Sequence, residues 1–286
     1  MLKSRLCIAF FAFAVGCAPA QKPLTDYVNP MLGTATLWDS VDLGFKPTKR
    51  TWGAEVFPGS SLPNAMVQVS PVTKFHSGAG YQYEDSVIYG FTHTNKGHWN
   101  LCHIPLLPVT GTPTPGDYCS PFSHERESAA PGYYQVFLDR YGVDAQLSST
   151  LRCAFHKYTY PAGAAASLLA DLQRSNEHVR AWDIRKEGDN VFAGWQQTGE
   201  KMYFYAVANR PVTGIEPVVE GDREVRIVRF GEGDGALELR IGFSFVSEKN
   251  ARENLEAEML GKSFAEVRSE ATATWNDLLG RIRVEG

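Results

Sequence analysis

"VDAQLSSTLRCAF" (residues 143–155) alternates along its whole length. Val143, Ala145, Leu147, Ser149, Leu151, Cys153 and Phe155 share one parity; Asp144, Gln146, Ser148, Thr150, Arg152, Ala154 and the following His156 share the other. Successive side chains of a strand point to opposite faces, so the pattern predicts one long half-buried antiparallel strand, or two joined by a bend. Leu237, Leu239, Ile241, Phe243 and Phe245 repeat the alternation, and "KMYFYAVAN" (201–209) and "REVRIVRF" (223–230) add further strands. Turn formers punctuate them: Glu187-Gly188-Asp189-Asn190, Glu220-Gly221-Asp222 and residues 231–235, "GEGDG". Many short strands with few helical stretches predict an all-β fold, an antiparallel β-sandwich over roughly residues 26–246.

The period changes near Ser247. Ser263 and Glu266 have capping-box spacing ahead of Phe264, Val267, Ala271, Trp275, Leu278, Leu279 and Ile282, whose steps of three and four make one apolar helical face. An earlier helix is expected to carry Ala251, Leu255 and Met259 and to stop at Gly261. Residues 247–286 thus form a helical segment, expected to lead towards further sequence that would cover its apolar face.

The chain has 286 residues, 43% hydrophobic, with a formal charge of -4 and no basic stripe, so nucleic acid is not an expected partner. Residues 1–20 have the form of an export signal: Lys3 and Arg5, an apolar run from Leu6 to Val15, then Gly16-Cys17. Ala14-Val15-Gly16 before Cys17 resembles a bacterial lipobox, which predicts lipidation of Cys17 and attachment to a periplasmic or cell-surface membrane face. Cleavage after Ala18-Pro19-Ala20 is the alternative and gives a soluble secreted or periplasmic protein. Cys102, Cys119 and Cys153 would then remain, an odd number that allows at most one disulfide.

"GFTHTNKGHWNLCHIPLLPVTG" (90–111) places His93, His98 and His103 five residues apart. Ligands on one helical face stand three or four apart and on one strand face two apart, so this spacing predicts no metal site. "SVIYGFTHT" and "LCHIPLLPV" read as two strands, leaving "NKGHWN" as an exposed loop. In such a loop Trp99 offers an aromatic face to a sugar ring, and Lys96, His98 and Asn100 offer hydrogen bonds to hydroxyls. An exposed Trp99 would cost only about 0.5 kcal/mol on truncation to alanine.

Five segments in fixed order carry a family resemblance: "DYVNPMLGT" (26–34), "FPGSSLPNAMVQVSP" (57–71), "YQYEDSVIYGFTHTNKGHWN" (81–100), "PGYYQVFL" (131–138) and "SEKNARENLEAE" (247–258). Together they resemble the amino-terminal domain of glycoside hydrolase family 92, calcium-dependent exo-α-mannosidases, and "WNDLLGRIRVEG" (275–286) resembles the run-in to that family's second domain. The resemblance implies a supersandwich-like β domain packed on an (α/α)6 catalytic domain, present in cis or as a separate chain. That second domain would hold the general acid, the general base and the calcium, so no metal is expected on this chain alone. An inverting glycosidase needs two carboxylates about 6.5–9.5 Å apart. Glu55, Glu84, Asp85, Glu125 and Glu127 match no catalytic motif, so none is assigned a catalytic role. The implied partners are mannose-containing glycans, met at a cleft shared between domains. Trp99, His98, Asn100, Lys96 and Phe57 are the substrate-contacting candidates, while "FPG" and "PGYY" read as rigid turns. Asn95-Lys96-Gly97-His98-Trp99-Asn100 departs from the Leu-Ser-Gly-Thr-Gly type of many members, which bears on linkage specificity. A stand-alone surface glycan-binding module is the alternative function.

Overall fold

The computed structural model describes residues 22–37, 44–46, 55–97, 99–233 and 235–282. The export segment with Cys17 lies outside them, and so does His98. Within them two antiparallel sheets face each other. One has seven strands in the spatial order Ser60–Ser61, Gln68–Val72, Gly90–Thr92, Leu106–Val109, Ser167–Ala170, Arg223–Phe230, Val212–Glu220. The other has eight: Ala181–Lys186, Val191–Gln197, Lys201–Ala208, Leu237–Ser244, Cys153–Thr159, Val143–Ser149, Tyr133–Leu138, Glu127–Ala130. Phe91, Leu106, Leu147, Tyr158, Leu168, Phe204, Ile227 and Ile241 belong to the apolar layer between them, all fully buried.

The stretch 143–155 is a hairpin rather than one strand. Ser148 pairs with Phe155 and Ser149 with Ala154, and Leu151 at the turn is 47% exposed. The reversal changes the parity. Val143, Ala145 and Leu147 face the inter-sheet core, but in the second strand Ala154 and Tyr158 do so, and Phe155 turns to the opposite side. Assigning Cys153 and Phe155 to the face of Leu147, and His156 to a polar face, is therefore corrected: His156 is fully buried. Alternation fails as a guide here because this sheet is covered on both faces, so neither parity needs to be polar.

What covers the second face is helical. Helix α1 (Glu248–Glu258) starts at Ser247, whose hydroxyl accepts the Asn250 N–H at 3.1 Å, and α2 (Phe264–Leu279) starts with the Ser263–Glu266 capping box. Leu255, Met259, Phe264 and Val267 bury against Tyr133, Cys153 and Phe155. Gly242 makes this approach possible: a Cβ there would lie 2.1 Å from the Ala251 carbonyl oxygen. Along α2 the burial fades, from Phe264, Val267 and Ala271, all buried, to half-buried Trp275 and Leu279 and to Ile282, which is 81% exposed. Cys102, Cys119 and Cys153 are all free thiols, the first and last buried.

Candidate functional site

The "FPGSS" turn is fixed by backbone contact. A Cβ on Gly59 would stand 1.9 Å from the Val69 carbonyl oxygen, so only glycine lets this segment lie flat on the neighbouring strand, where Ser60 pairs with Val69 and Ser61 with Gln68. Trp275 of α2 donates its indole N–H to the Ser61 carbonyl at 2.7 Å, and Asn276 accepts the Thr25 N–H at 3.0 Å. These bonds draw three distant segments round an apolar cleft of about 470 Å³. Val28, Pro30, Phe57, Pro131, Trp275 and Leu279 supply its walls, and Gly97 reaches it as well. The segments 26–34, 57–71 and 131–138 are joined there by the end of α2. Tyr27 and Leu32 beside them are 70% and 73% exposed, which extends the apolar surface beyond the cleft.

Of the residues proposed from sequence, Phe57 lines this cleft, half-buried. The "NKGHWN" segment is a small hairpin, Asn95–Lys96 paired with Trp99–Asn100, turning at Gly97 with φ +62°. Lys96 is exposed. Trp99, which pairs across the hairpin with Lys96, is half-buried and not free in solvent. Trp99→Ala is therefore expected to cost about 1–2 kcal/mol, between the values for exposed and core tryptophans, as read from the urea midpoint. Asn100 corrects the expectation of an exposed loop more sharply. It is fully buried: its Oδ1 accepts the Cys102 N–H at 2.7 Å, and its amide lies against Gly80, where a Cβ would sit 2.7 Å away. Asn100 thus anchors the hairpin from below. Its carbonyl accepts the Asn176 side-chain N–H at 2.6 Å, and Ser175 donates to the Leu101 carbonyl at 2.7 Å.

The carboxylates named from sequence are mostly committed to the fold. Glu84 accepts the Thr36 N–H and hydroxyl, both at 2.7 Å, and Asp85 accepts the Thr73 hydroxyl at 2.8 Å. Glu55 borders the apolar cleft with φ +53° and its carboxylate against Gly78. Glu127, which matches no catalytic motif, has a fully buried side chain. It receives the hydroxyls of Tyr81 at 3.0 Å and Tyr134 at 2.5 Å and faces His124 Nδ1 at 2.6 Å. Burial, then the Glu127 charge, pushes both phenols far above the ordinary tyrosine range.

The histidines of the 90–111 stretch serve different ends. His93 is buried with its Nε2 3.0 Å from His156 Nε2, and His156 Nδ1 is 2.6 Å from the Tyr158 hydroxyl. Burial holds His93 down to about 3 and His156 well below the usual imidazole value. His103 points the other way, with Nδ1 3.0 Å from Thr94 Oγ1 and Nε2 3.0 Å from Thr198 Oγ1. Among the described residues no three histidine, cysteine or acidic side chains converge as a metal ligand set.

The model of the glycosyl hydrolase family 92 N-terminal domain matches residues 27–254, most of the chain and every strand described above. The chain belongs to this family. The family-92 domain also superimposes on solved structures: an alpha-mannosidase of the family from Bacteroides thetaiotaomicron, BT3965, at a TM-score of 0.81 with 25% identity over 93% of this chain. The inverting mannosidase BT2199 of the same organism shares the fold at a TM-score of 0.75 and 23% identity. In sequence this chain is 24% identical, over 91% of its own length, to an uncharacterized secreted glycosidase of Arthroderma benhamiae. The chain spans 39% of BT3965 and 38% of the fungal glycosidase, so it corresponds to the N-terminal part of these longer proteins. Sequence periodicity did mark the α2 face with Trp275 and Leu279, but nothing in it places that face against Phe57. The convergence of the motifs on one cleft needed the fold.

Proposed function

We propose that this family-92 domain forms one wall of a pocket for terminal α-mannosides in an exported glycosidase. The observation that carries the reading is the apolar cleft on which segments 26–34, 57–71, 131–138 and the end of α2 converge, with Phe57 and Trp275 as aromatic walls. Aromatic faces pack on the C–H faces of pyranose rings, and a half-open cleft is completed by whatever covers it. In this reading a second domain closes over the cleft and over exposed Tyr27, Leu32 and Ile282. That domain supplies the paired carboxylates of the hydrolysis and the ligands for calcium. The ion would help hold the sugar, and the part of the described residues is to bind and orient the ring. Secretion fits the signal-like residues 1–20 and the name of the fungal relative, and lipidation at Cys17 remains part of the proposal.

With one wall only, methyl α-mannoside is expected to bind the purified chain at about millimolar Kd, roughly -4 kcal/mol, by calorimetry, and Phe57→Ala to weaken it several-fold. The chain alone is expected to hydrolyse p-nitrophenyl α-mannoside no faster than a blank. Release above the blank that EDTA stops would overturn the placing of catalysis in a second domain. Unchanged sugar binding in Phe57→Ala would remove the cleft from the pocket.

A further inference from the structure

At one corner, the outer face of the eight-stranded sheet carries aromatic side chains that α1 leaves partly open. Arg185, Ala193, Tyr205 and Gly242 stand in register across four strands and run beneath α1. There Ala193 is buried, Arg185 donates to Glu248 at 2.8 Å, and Gly242 lies against the Ala251 carbonyl. The next row along the same strands is Asp183, Trp195, Tyr203 and Ser244. Side chains two residues apart on a strand share a face, so this row also points outwards, alongside the start of α1. Trp195 and Tyr203 are half-buried cross-strand neighbours, and Val246, just before α1, is 76% exposed. The row lies at the end of the sheet remote from Glu127–Ala130, the strand that borders the apolar cleft.

Acids and bases interleave around this row. Arg185 meets Asp183 at 3.3 Å, Glu187 at 2.6 Å and Glu248 at 2.8 Å, and Lys201 flanks the aromatic pair. No field of one sign builds up that would favour a nucleic acid, an anionic lipid surface or another polyanion. Lys201 Nζ stands 3.5 Å from the Trp195 ring centroid and 5.2 Å from that of Tyr203, with no carboxylate partner among the described residues. The ammonium marks the electron-rich face that the indole turns to solvent. At a partly exposed site such a contact is weak, and a flexible lysine stem yields the face to a ligand. The Trp195 indole N–H and the Tyr203 hydroxyl also have no hydrogen-bond partner among the described residues. Apolar ring faces and unused donors therefore lie side by side.

We infer that this row binds a neutral oligosaccharide laid across the strands. Pyranose rings carry no charge, and they offer apolar C–H faces to the aromatic pair and hydroxyls to its rim. Strands about 4.8 Å apart place Asp183 and Ser244 about 14 Å from each other, so a chain of linked rings matches the row better than one ring. The partly exposed Asp183 carboxylate accepts from hydroxyls at one end, and Lys201, once off the indole, donates to others. α1 bounds the row on one side and holds the chain along it. That the chain contains mannose rests on the glycosidase reading above; that the row takes a neutral glycan does not.

The test is titration of the nitrogen-15-labelled full chain with α-mannotetraose, cellotetraose and methyl α-mannoside, followed by calorimetry and through the indole N–H resonances. The Trp195 resonance is identified by its loss in Trp195→Phe. α-Mannotetraose is expected to shift it and to bind at least about ten-fold more tightly than methyl α-mannoside. Raising salt from about 20 to 200 mM should leave that affinity unchanged, because the ligand is neutral. Trp195→Ala and Tyr203→Ala are expected to lower it about ten-fold. Trp195 is half-buried, so if its alanine variant fails to fold, the wild-type resonance carries the test. Phe57→Ala is expected to weaken methyl α-mannoside and to leave the Trp195 shift in place. If only the cleft reading is wrong, Phe57→Ala changes nothing and the shift persists, which supports the row. A shift with cellotetraose alone supports a neutral glycan and overturns mannose as its sugar. A Trp195 resonance unmoved by both tetrasaccharides, a Tyr203→Ala variant that binds as the wild type does, or a ten-fold loss of affinity with salt would overturn the site.

Discussion

Between pH 7.5 and pH 5 the chain is expected to lose about 4 kcal/mol of folding stability through two residues, His93 and His156. They face each other across the inter-sheet core at 3.0 Å, fully buried, next to Phe91 and Phe243. Neither can accept a proton there without desolvating a charge beside a second imidazole. Both folded-state values are therefore depressed, by burial first and by a neighbouring histidine second for His156, while in the unfolded chain both residues titrate near 6.5. Below that pH the unfolded state binds protons that the folded state refuses. The contribution is fully present above about pH 6.5 and is lost as pH falls, at about 1.4 kcal/mol per pH unit for each residue. Buried His103, also depressed, acts in the same direction. Urea unfolding at pH 7.5, 6 and 5 measures the slope. His156→Leu should lower stability at neutral pH, because Tyr158 loses its partner, yet make the slope shallower. A wild-type stability that is flat down to pH 5 would show that the pair is not neutral and buried.

Glu127→Leu is expected to cost about 3–5 kcal/mol, the usual range for breaking a buried charged network from one side. The buried tyrosines Tyr81 and Tyr134 both donate to this carboxylate, and His124 meets it at 2.6 Å. Leucine removes the common acceptor and strands two phenol hydroxyls away from water, each worth about 1–3 kcal/mol unpaired. Glu127→Gln keeps an acceptor oxygen and should lose less. Adding Tyr81→Phe and Tyr134→Phe to Glu127→Leu removes the stranded hydroxyls and should recover part of the loss, a non-additivity that marks a shared network. A Glu127→Leu midpoint within about 1 kcal/mol of wild type would mean that water reaches the cluster.

The class of the fold was legible in the chain because it depends on local periodicity. Alternation at 237–243 and 201–208 predicts strands that the structure contains, and the capping box at Ser263 predicts the start of α2 because a cap needs only residues three positions apart. The five quoted segments were likewise sufficient to indicate the family. What local pattern could not supply was which face meets what. Phe155 and His156 exchanged sides because α1 and α2, a hundred residues later, cover the outer face of their sheet. Asn100 looked like a ligand-binding residue and became an anchor, because Gly80 and Cys102 close over it. No local pattern showed that Glu127 is buried, because its partners Tyr81, from a loop, and Tyr134, from the neighbouring strand, meet it only in the fold. The apolar cleft exists only after the fold brings Phe57 beside Trp275 of α2, two hundred residues later in the chain. Periodicity is set by backbone geometry within a few residues, whereas burial, charge pairing and cavity walls are sums over neighbours that only the folded chain brings together.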